Sequence, residues 1–556
     1  MTKDRDGSTK PMTLIVFGAT GDLMSRKIVP ALYHLFENKR LPTDFSVVGV
    51  ARREIDDEGF RGLVTESVTR HLDVQGVKLD DFTEHFFYQR GNFESAEDYD
   101  SLGARLNEFD DNWKTCANRL FYLAVPPRLY RTILELLSSS GLTGKCSPEE
   151  AWTRILVEKP FGKEMAEARS LDALLGELFE EEQIYRIDHY LAKEVLQNIL
   201  MFRFANNLLE GVWSNKYIES INIRLLEKIG VEGRGSFYEG VGALLDVGQN
   251  HLMQMMAFVA MNHPIVLSPD TISREKGAVL GKIQPLSDSD LKENTFRGQY
   301  QGYLEEPGVE PKSTTETYFK IKAYIDSARW EGVPVLLEGG KKMPEDLKEI
   351  VVTFKHPAPC ICPVGQGHFK NVVKFRIEPD PGIIIQFWSK KPGHTMELEE
   401  RRLDFKYEEM GARHYMEDYS KVLLDCISGD QTIFSSSEES RAGWNFIDPI
   451  VTAWREDAVP LVKYAQNQEI FEKSDSVDVD TAESGLKLEI GVVGLGKMGG
   501  NIALQLIDKG WSVVGYNRSP ETTEKMEDAG LRGAYSLKEV VEKLEKPRVI
   551  WVMVPA

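Results

Sequence analysis

The 556-residue chain has few cysteines, no long apolar run and no excess of positive charge. Its five cysteines, Cys116, Cys146, Cys360, Cys362 and Cys426, are irregularly spaced, which fits a reducing compartment better than a disulfide framework. Cys360-x-Cys362 lacks a second cysteine or histidine pair at zinc-site spacing, so no metal is expected. Nothing approaches the roughly 18 apolar residues of a membrane span, and the first ten residues are polar, without the apolar centre of a secretion signal. A cytoplasmic location is the expectation. The formal charge of −20 argues against nucleic acid or an anionic membrane as a main partner. An anionic substrate would therefore need a local cationic pocket.

What is present reads as folded and multidomain. Hydrophobic residues make up 42% and charged residues 28%, ordinary globular proportions, and the length exceeds what one growing core supports. Apolar runs at 13–17, 46–50, 120–124 and 154–157 alternate with helical patterns, a βαβ rhythm that predicts a parallel sheet. After residue 187 the texture changes. Strand-like runs at 218–225, 320–325, 350–354, 374–377 and 382–387 follow one another with few helices, predicting a mostly antiparallel sheet with helices on one face. Residues 466–486 are acidic and polar, a linker, and beyond them strand 489–493 opens a new βαβ rhythm. The expected division is a disordered 1–11, a dinucleotide-binding domain at 12–187, an α+β domain at 188–465, the linker, and a partial second dinucleotide-binding domain at 487–556.

Three motifs carry chemistry. Arg186-Ile187-Asp188-His189-Tyr190-Leu191-Ala192-Lys193-Glu194 reads as an anion site: a helix there would stack His189 and Lys193 on one face, with Tyr190 beside them, to hold a phosphate dianion. Gly18-Ala19-Thr20-Gly21-Asp22-Leu23 follows the first strand where a helix should start, and such a turn presents backbone amides to a pyrophosphate. The second strand ends in Ala51-Arg52-Arg53, and arginine at that place suits the 2′-phosphate of NADP where an acid would favour NAD, so NADP is favoured and dual use stays open. Gly494-x-Gly496-x-x-Gly499 repeats the theme, with Asn517-Arg518 ending its second strand at 512–516.

The motifs at 186–194 and 18–23, with Glu158-Lys159-Pro160-Phe161-Gly162, Glu232-Gly233-Arg234-Gly235 and Asp246-Val247-Gly248-Gln249-Asn250-His251, resemble the glucose-6-phosphate dehydrogenase family from about residue 14 to residue 454. Residues 488–556 resemble the N-terminus of 6-phosphogluconate dehydrogenases, ending before that family's catalytic residues, which reads as a fragment of a longer fusion or else a vestigial module. The first resemblance implies a Rossmann-like domain followed by an α+β domain whose large sheet forms the interface of a homodimer or homotetramer. It implies oxidation of glucose 6-phosphate by NADP, with His251 as general base and Asp188 as its carboxylate partner. It also implies His189, Tyr190 and Lys193 as phosphate ligands, Glu227 and Asp246 as acceptors of sugar hydroxyls, Lys159 between substrate and nicotinamide, and Lys341 as a further substrate ligand. Gly18, Thr20, Gly21, Asp22, Leu23 and Arg52 fall at its cofactor positions.

Two departures matter. Ala192 replaces the usual glycine, and Glu345 and Asp346 stand where a basic residue is common, which implies either weaker phosphate affinity or substitution by Lys348. Two alternatives remain open on the sequence: a dehydrogenase of free glucose or another hexose phosphate, and an inactive nucleotide-binding subunit.

Overall fold

A computed structural model of the chain describes residues 10–72, 78–144, 151–162, 164–357, 369–394, 397–407, 418–467, 489–545 and 548–554. Strands β1 (Met12–Phe17), β2 (Phe45–Ala51), β3 (Phe86–Arg90), β4 (Asn118–Leu123), β5 (Thr153–Val157) and β6 (Ile184–Ile187) lie parallel in the order β3-β2-β1-β4-β5-β6. Every residue of β1, β2 and β4 is buried, because helices cover both faces and leave no side for polar alternation. The strand order reverses between β1 and β4, and in such sheets ligands bind beyond the carboxyl ends of the strands. That edge is where Gly18, Arg52, Lys159 and Asp188 emerge, after β1, β2, β5 and β6 respectively.

A second sheet holds β7 (Ile218–Leu226), β8 (Thr295–Tyr300), β9 (Tyr318–Ala323), β10 (Val335–Gly340), β11 (Leu347–Phe354), β12 (Val372–Glu378), β13 (Gly382–Lys390) and β14 (Leu398–Lys406). Their order is β14-β13-β12-β11-β7-β10-β9-β8, closed by Leu461–Tyr464. Pairing is antiparallel except between β7 and β10 and between β8 and Leu461–Tyr464. The inner face, with Ile221, Ile223, Leu337, Ile350 and Phe375 in the buried core, packs against helices that include Glu194–Phe204 and Met253–Ala260. Arg203, fully buried, donates to the carbonyls of Phe258, Val259 and Met261 at 3.1, 3.0 and 2.9 Å and so satisfies the C-terminal end of Met253–Ala260. Both sheets belong to one compact unit. The chain also returns to the first sheet: helix Asp418–Ser428 sets Ser420 Oγ on Ala31 O at 3.4 Å, and Phe434–Ser435 pairs antiparallel with β6.

A separate unit contains four parallel strands, Arg532–Ala534, Ser512–Tyr516, Glu489–Val493 and Ile550–Val552, in that order, with helix Lys497–Asp508 after the first glycine turn.

The sequence reading departs from the structure in several places. Residues 1–9 of the expected disordered start lie outside the described residues, while Pro11 O accepts Asn118 N at 2.9 Å. The linker also begins later, since Gln466 Nε2 donates to Gln301 O at 2.5 Å and Asn467 N to Lys342 O at 2.8 Å; residues 468–488 lie outside the described set. Cys116 is in a disulfide, contrary to the expectation of reduced cysteines, and Cys426 is free and buried. Cys360 and Cys362 lie outside the described residues.

At Gly18, φ is 90° and an added Cβ would sit 2.3 Å from Ala124 O. The left-handed conformation and the overlap with backbone both oppose a side chain there. Gly18→Ala is expected to lower unfolding stability by about 2 kcal/mol or more, read as a fall in the urea midpoint; an unchanged midpoint would show that the turn relaxes at no cost.

Candidate active site

The predicted helix over Asp188–Lys193 does not form. Asp188 follows β6 directly, and its Oδ1 accepts Tyr190 N at 3.0 Å, while Leu191 N and Lys193 N close turns onto Asp188 O and Tyr190 O, each at 3.0 Å. An aspartate side chain that bonds the backbone two residues on competes with helix formation. The helix starts only at Glu194, with Lys193 at its N-cap. The turns still gather Tyr190 and Lys193, whose Nζ lies 5.6 Å from the Tyr190 ring.

His251 arrives from the second sheet's side. It sits in Leu244–Leu252, a π-helical stretch that runs on into Met253–Ala260. A π-turn closes its hydrogen bond five residues along, so Asp246 and His251 fall on one side of the helix. His251 Nδ1 donates to Asp188 Oδ1 at 2.6 Å, with both side chains almost fully buried. Its other nitrogen, Nε2, accepts from Lys159 Nζ at 2.5 Å, and Lys159 also donates to Asp246 O at 3.3 Å. The rings of Tyr190 and His189 lie 4.0 and 5.1 Å from that of His251.

The electrostatics follow from burial and these bonds. Burial holds the His251 imidazole below its usual pKa against the pull of Asp188, with the Lys159 charge adding to the depression. Burial raises the Asp188 carboxyl, but the His251 bond and the neighbouring cationic groups outweigh it and hold the group at about 2. His189 is pushed down to about 3, first by burial and then by His251 and Lys159. At neutral pH the site therefore contains an ionised Asp188 and a neutral His251 whose unprotonated Nε2 is occupied by the Lys159 hydrogen bond. Asp188, His189 and His251 also place nitrogen and oxygen atoms within 4.8 Å of one another, a spacing a metal could bridge. The Lys159 ammonium on Nε2 opposes a second cation there.

Lys341, buried, donates to Glu227 Oε2 at 2.5 Å and stands 3.7 Å from Asp246 Oδ2. Lys193 donates to Glu378 Oε1 at 2.7 Å and to Asp418 Oδ2 at 3.3 Å. Burial opposes its charge, yet these carboxylates hold its ammonium above the usual range. The expected residues thus fall into a chain running Asp188, His251, Lys159, Asp246, Lys341, Glu227, with Tyr190 and Lys193 beside it.

Sequence reasoning passed over Glu158, Glu378 and Asp418. Glu158 accepts from Tyr122 Oη at 2.7 Å and Tyr419 Oη at 3.3 Å, while Tyr130 Oη donates to its carbonyl at 2.9 Å. Burial raises its carboxyl, and the two phenols oppose that rise. Its place beside Lys159 was the available signal; Glu378 and Asp418 carried none.

The first glycine turn fits a dinucleotide. Gly21 N bonds Gly18 O at 2.9 Å, and a Cβ on Gly21 would stand 3.0 Å from that oxygen. Helical conformation begins at Asp22 and Leu23. A cavity of about 290 Å³ is lined by Thr20, Gly21, Asp22, Arg53 and Arg70, while Arg52 is exposed at the end of β2. In the separate unit, Gly494 has φ 95° and a Cβ on Gly499 would stand 2.0 Å from Gly494 O. Gly496 is open, Asn517 Oδ1 accepts Leu495 N at 3.0 Å, and Arg518 is exposed.

Comparisons with known proteins agree with this geometry. The family model for the NAD binding domain of glucose-6-phosphate dehydrogenase matches residues 15–198, and that for its C-terminal domain matches 200–480. The NAD binding domain of 6-phosphogluconate dehydrogenase matches residues 489–556. A glucose-6-phosphate 1-dehydrogenase of Aggregatibacter actinomycetemcomitans is 41% identical over 451 residues, covering 79% of this chain and 90% of that one. One from Bacillus subtilis is 38% identical over 452 residues, covering 79% and 91%. A solved glucose-6-phosphate dehydrogenase in complex with its substrate glucose-6-phosphate superposes with TM-score 0.77 at 29% identity, over 84% of this chain and 97% of that one. By sequence and by the arrangement of its two sheets, the chain belongs to the glucose-6-phosphate dehydrogenase family, an oxidoreductase family using a nicotinamide dinucleotide, and carries in addition a dinucleotide-binding module of the 6-phosphogluconate dehydrogenase type.

Proposed function

We propose that the chain oxidises D-glucose 6-phosphate with NADP to 6-phospho-D-glucono-1,5-lactone and NADPH. The observation that carries this reading is the Asp188–His251–Lys159 chain, with bonds of 2.6 and 2.5 Å, at the carboxyl edge of a parallel sheet. His251 Nε2 takes the proton of the sugar C1 hydroxyl, displacing the Lys159 ammonium from that nitrogen. Asp188 holds Nδ1 protonated, fixes the ring and stabilises the imidazolium that forms. NADP supplies the hydride acceptor when bound. Lys159, released from Nε2, lies between substrate and nicotinamide. Glu227 and Asp246 accept sugar hydroxyls, Lys341 holds those carboxylates and the sugar, and His189, Tyr190 and Lys193 bind the phosphate.

For the cofactor, Gly18, Thr20, Gly21, Asp22 and Leu23 form the pyrophosphate turn and Arg52 reads the 2′-phosphate; the absence of an acid at the end of β2 supports NADP. Gly494, Gly496, Gly499, Asn517 and Arg518 form a second dinucleotide site. We assign the cofactor domain to 12–187, the substrate and assembly domain to 188–467 and the second module to 487–556. Assembly as a homodimer or homotetramer uses the large sheet. The cytoplasmic location stays a proposal; among the described residues no helix is long and apolar enough to cross a membrane.

The deciding experiment is NADPH formation from glucose 6-phosphate by the purified chain, with glucose as comparison; oxidation of glucose alone would favour the sugar dehydrogenase reading, and no oxidation the inactive subunit. His251→Asn is expected to cut turnover by roughly 100- to 10,000-fold while cofactor binding stays nearly intact; turnover within about threefold of the parent refutes the base. Replacing Arg52 and Arg53 with alanine should weaken NADP selectively by roughly tenfold or more per lost contact. The ratio of kcat/KM for NADP over NAD measures this, and an unchanged ratio places the phosphate reader elsewhere.

A further inference from the structure

Lys348 enters the site by an unexpected route. Asp346 and Glu345 occupy the turn before β11 and are exposed, and Asp346 Oδ1 is engaged outside the site, accepting Lys228 N at 2.9 Å. Two residues on, Lys348 pairs in register with Glu378 at the end of β12, just before a register shift between Lys348 and Glu349. Its Nζ lies 5.4 Å from the Tyr190 ring, which Lys193 Nζ approaches to 5.6 Å. Lys193 donates to Oε1 of Glu378 and Lys348 donates to Oε2. One carboxylate therefore bridges two ammonium groups, in the way two oxygens of a phosphate would. Both lysine side chains are 14% exposed, whereas Glu378 is 39% exposed and is the member of the trio with access to solvent.

We propose that Lys348 is a second phosphate-binding cation of this site, and that Glu378 is a displaceable carboxylate that bridges Lys348 and Lys193 until the phosphate takes its place. The inference rests on the sugar-phosphate reading above and assigns the cation that this chain uses where Asp346 stands. Lys193 keeps Asp418 as a partner after the exchange, while Lys348 passes from Glu378 to the phosphate. Glu378 is held ionised: burial opposes its charge, but the two lysine bonds outweigh that. It therefore competes with any incoming anion, and sets a threshold that a dianion passes more readily than a monoanion.

The test uses the full chain and two readouts. Steady-state kinetics give KM and kcat for glucose 6-phosphate, and calorimetry gives the affinity for inorganic phosphate without turnover. Lys348→Ala is expected to raise KM roughly tenfold or more, by a larger factor than any fall in kcat, and to weaken inorganic phosphate likewise, with Lys348→Arg restoring most of both. Glu378→Gln is expected to tighten inorganic phosphate. A KM and phosphate affinity within twofold of the parent in Lys348→Ala, or weaker phosphate binding in Glu378→Gln, would overturn the proposal. Loss of inorganic phosphate binding in Lys348→Ala, in a chain that oxidises no glucose 6-phosphate, would instead support the anion site and reject the reaction.

Discussion

The hydrogen bond from His251 Nδ1 to Asp188 Oδ1 joins two halves of the molecule that local sequence does not connect. Asp188 is the first residue beyond a parallel strand, and His251 lies on a helix packed over the second sheet. A carboxylate so deeply buried stays ionised only beside a partner that offsets its lost hydration. The imidazole needs the carboxylate for its tautomer, and the carboxylate needs the imidazole for its charge. Each residue around the pair extends that dependence: Lys159 satisfies Nε2 and a carbonyl of the π-helix, and Arg203 secures the far end of the helix that continues it.

Much of this was legible in the sequence, for physical reasons that differ by region. The all-buried strands β1, β2 and β4 announce themselves as apolar runs, and the glycine turns by the backbone they require. Strand β14, Leu-Glu-Glu-Arg-Arg-Leu-Asp-Phe-Lys, is mostly exposed and shows no buried face, so only its pairing with β13 makes it a strand. Strand β10 ends in Gly339-Gly340, which reads as a turn; a Cβ on Gly340 would meet the Tyr318 ring at 2.6 Å, so close packing requires the glycine. The stretch from Asp188 to Lys193 has helical charge spacing, yet one side-chain bond to Tyr190 N diverts it into turns.

The residues that the family resemblance nominates lie together in the structure, but the bonds that join them were not legible. The family resemblance nominates Asp188, His251 and Lys159 separately, and no periodicity reveals that Lys159 bonds Nε2. Glu378 is less visible still, because it ends an ordinary strand and stands out only when two lysines from other elements converge on it.

The π-helical register of Leu244–Leu252 has a consequence for how this region tolerates change in length. Removing one residue from it would restore ordinary α-helical spacing while leaving the helix continuous and its apolar side nearly as well packed. Asp246 and His251 would then stand four apart, still on one side of an α-helix, whereas a second removal would turn one of them by about 100° relative to the other, carrying His251 away from Asp188 or Asp246 away from Lys341. The wide turn thus absorbs one change in length, and further ones would break the contacts of His251 and Asp246 well before they break the helix.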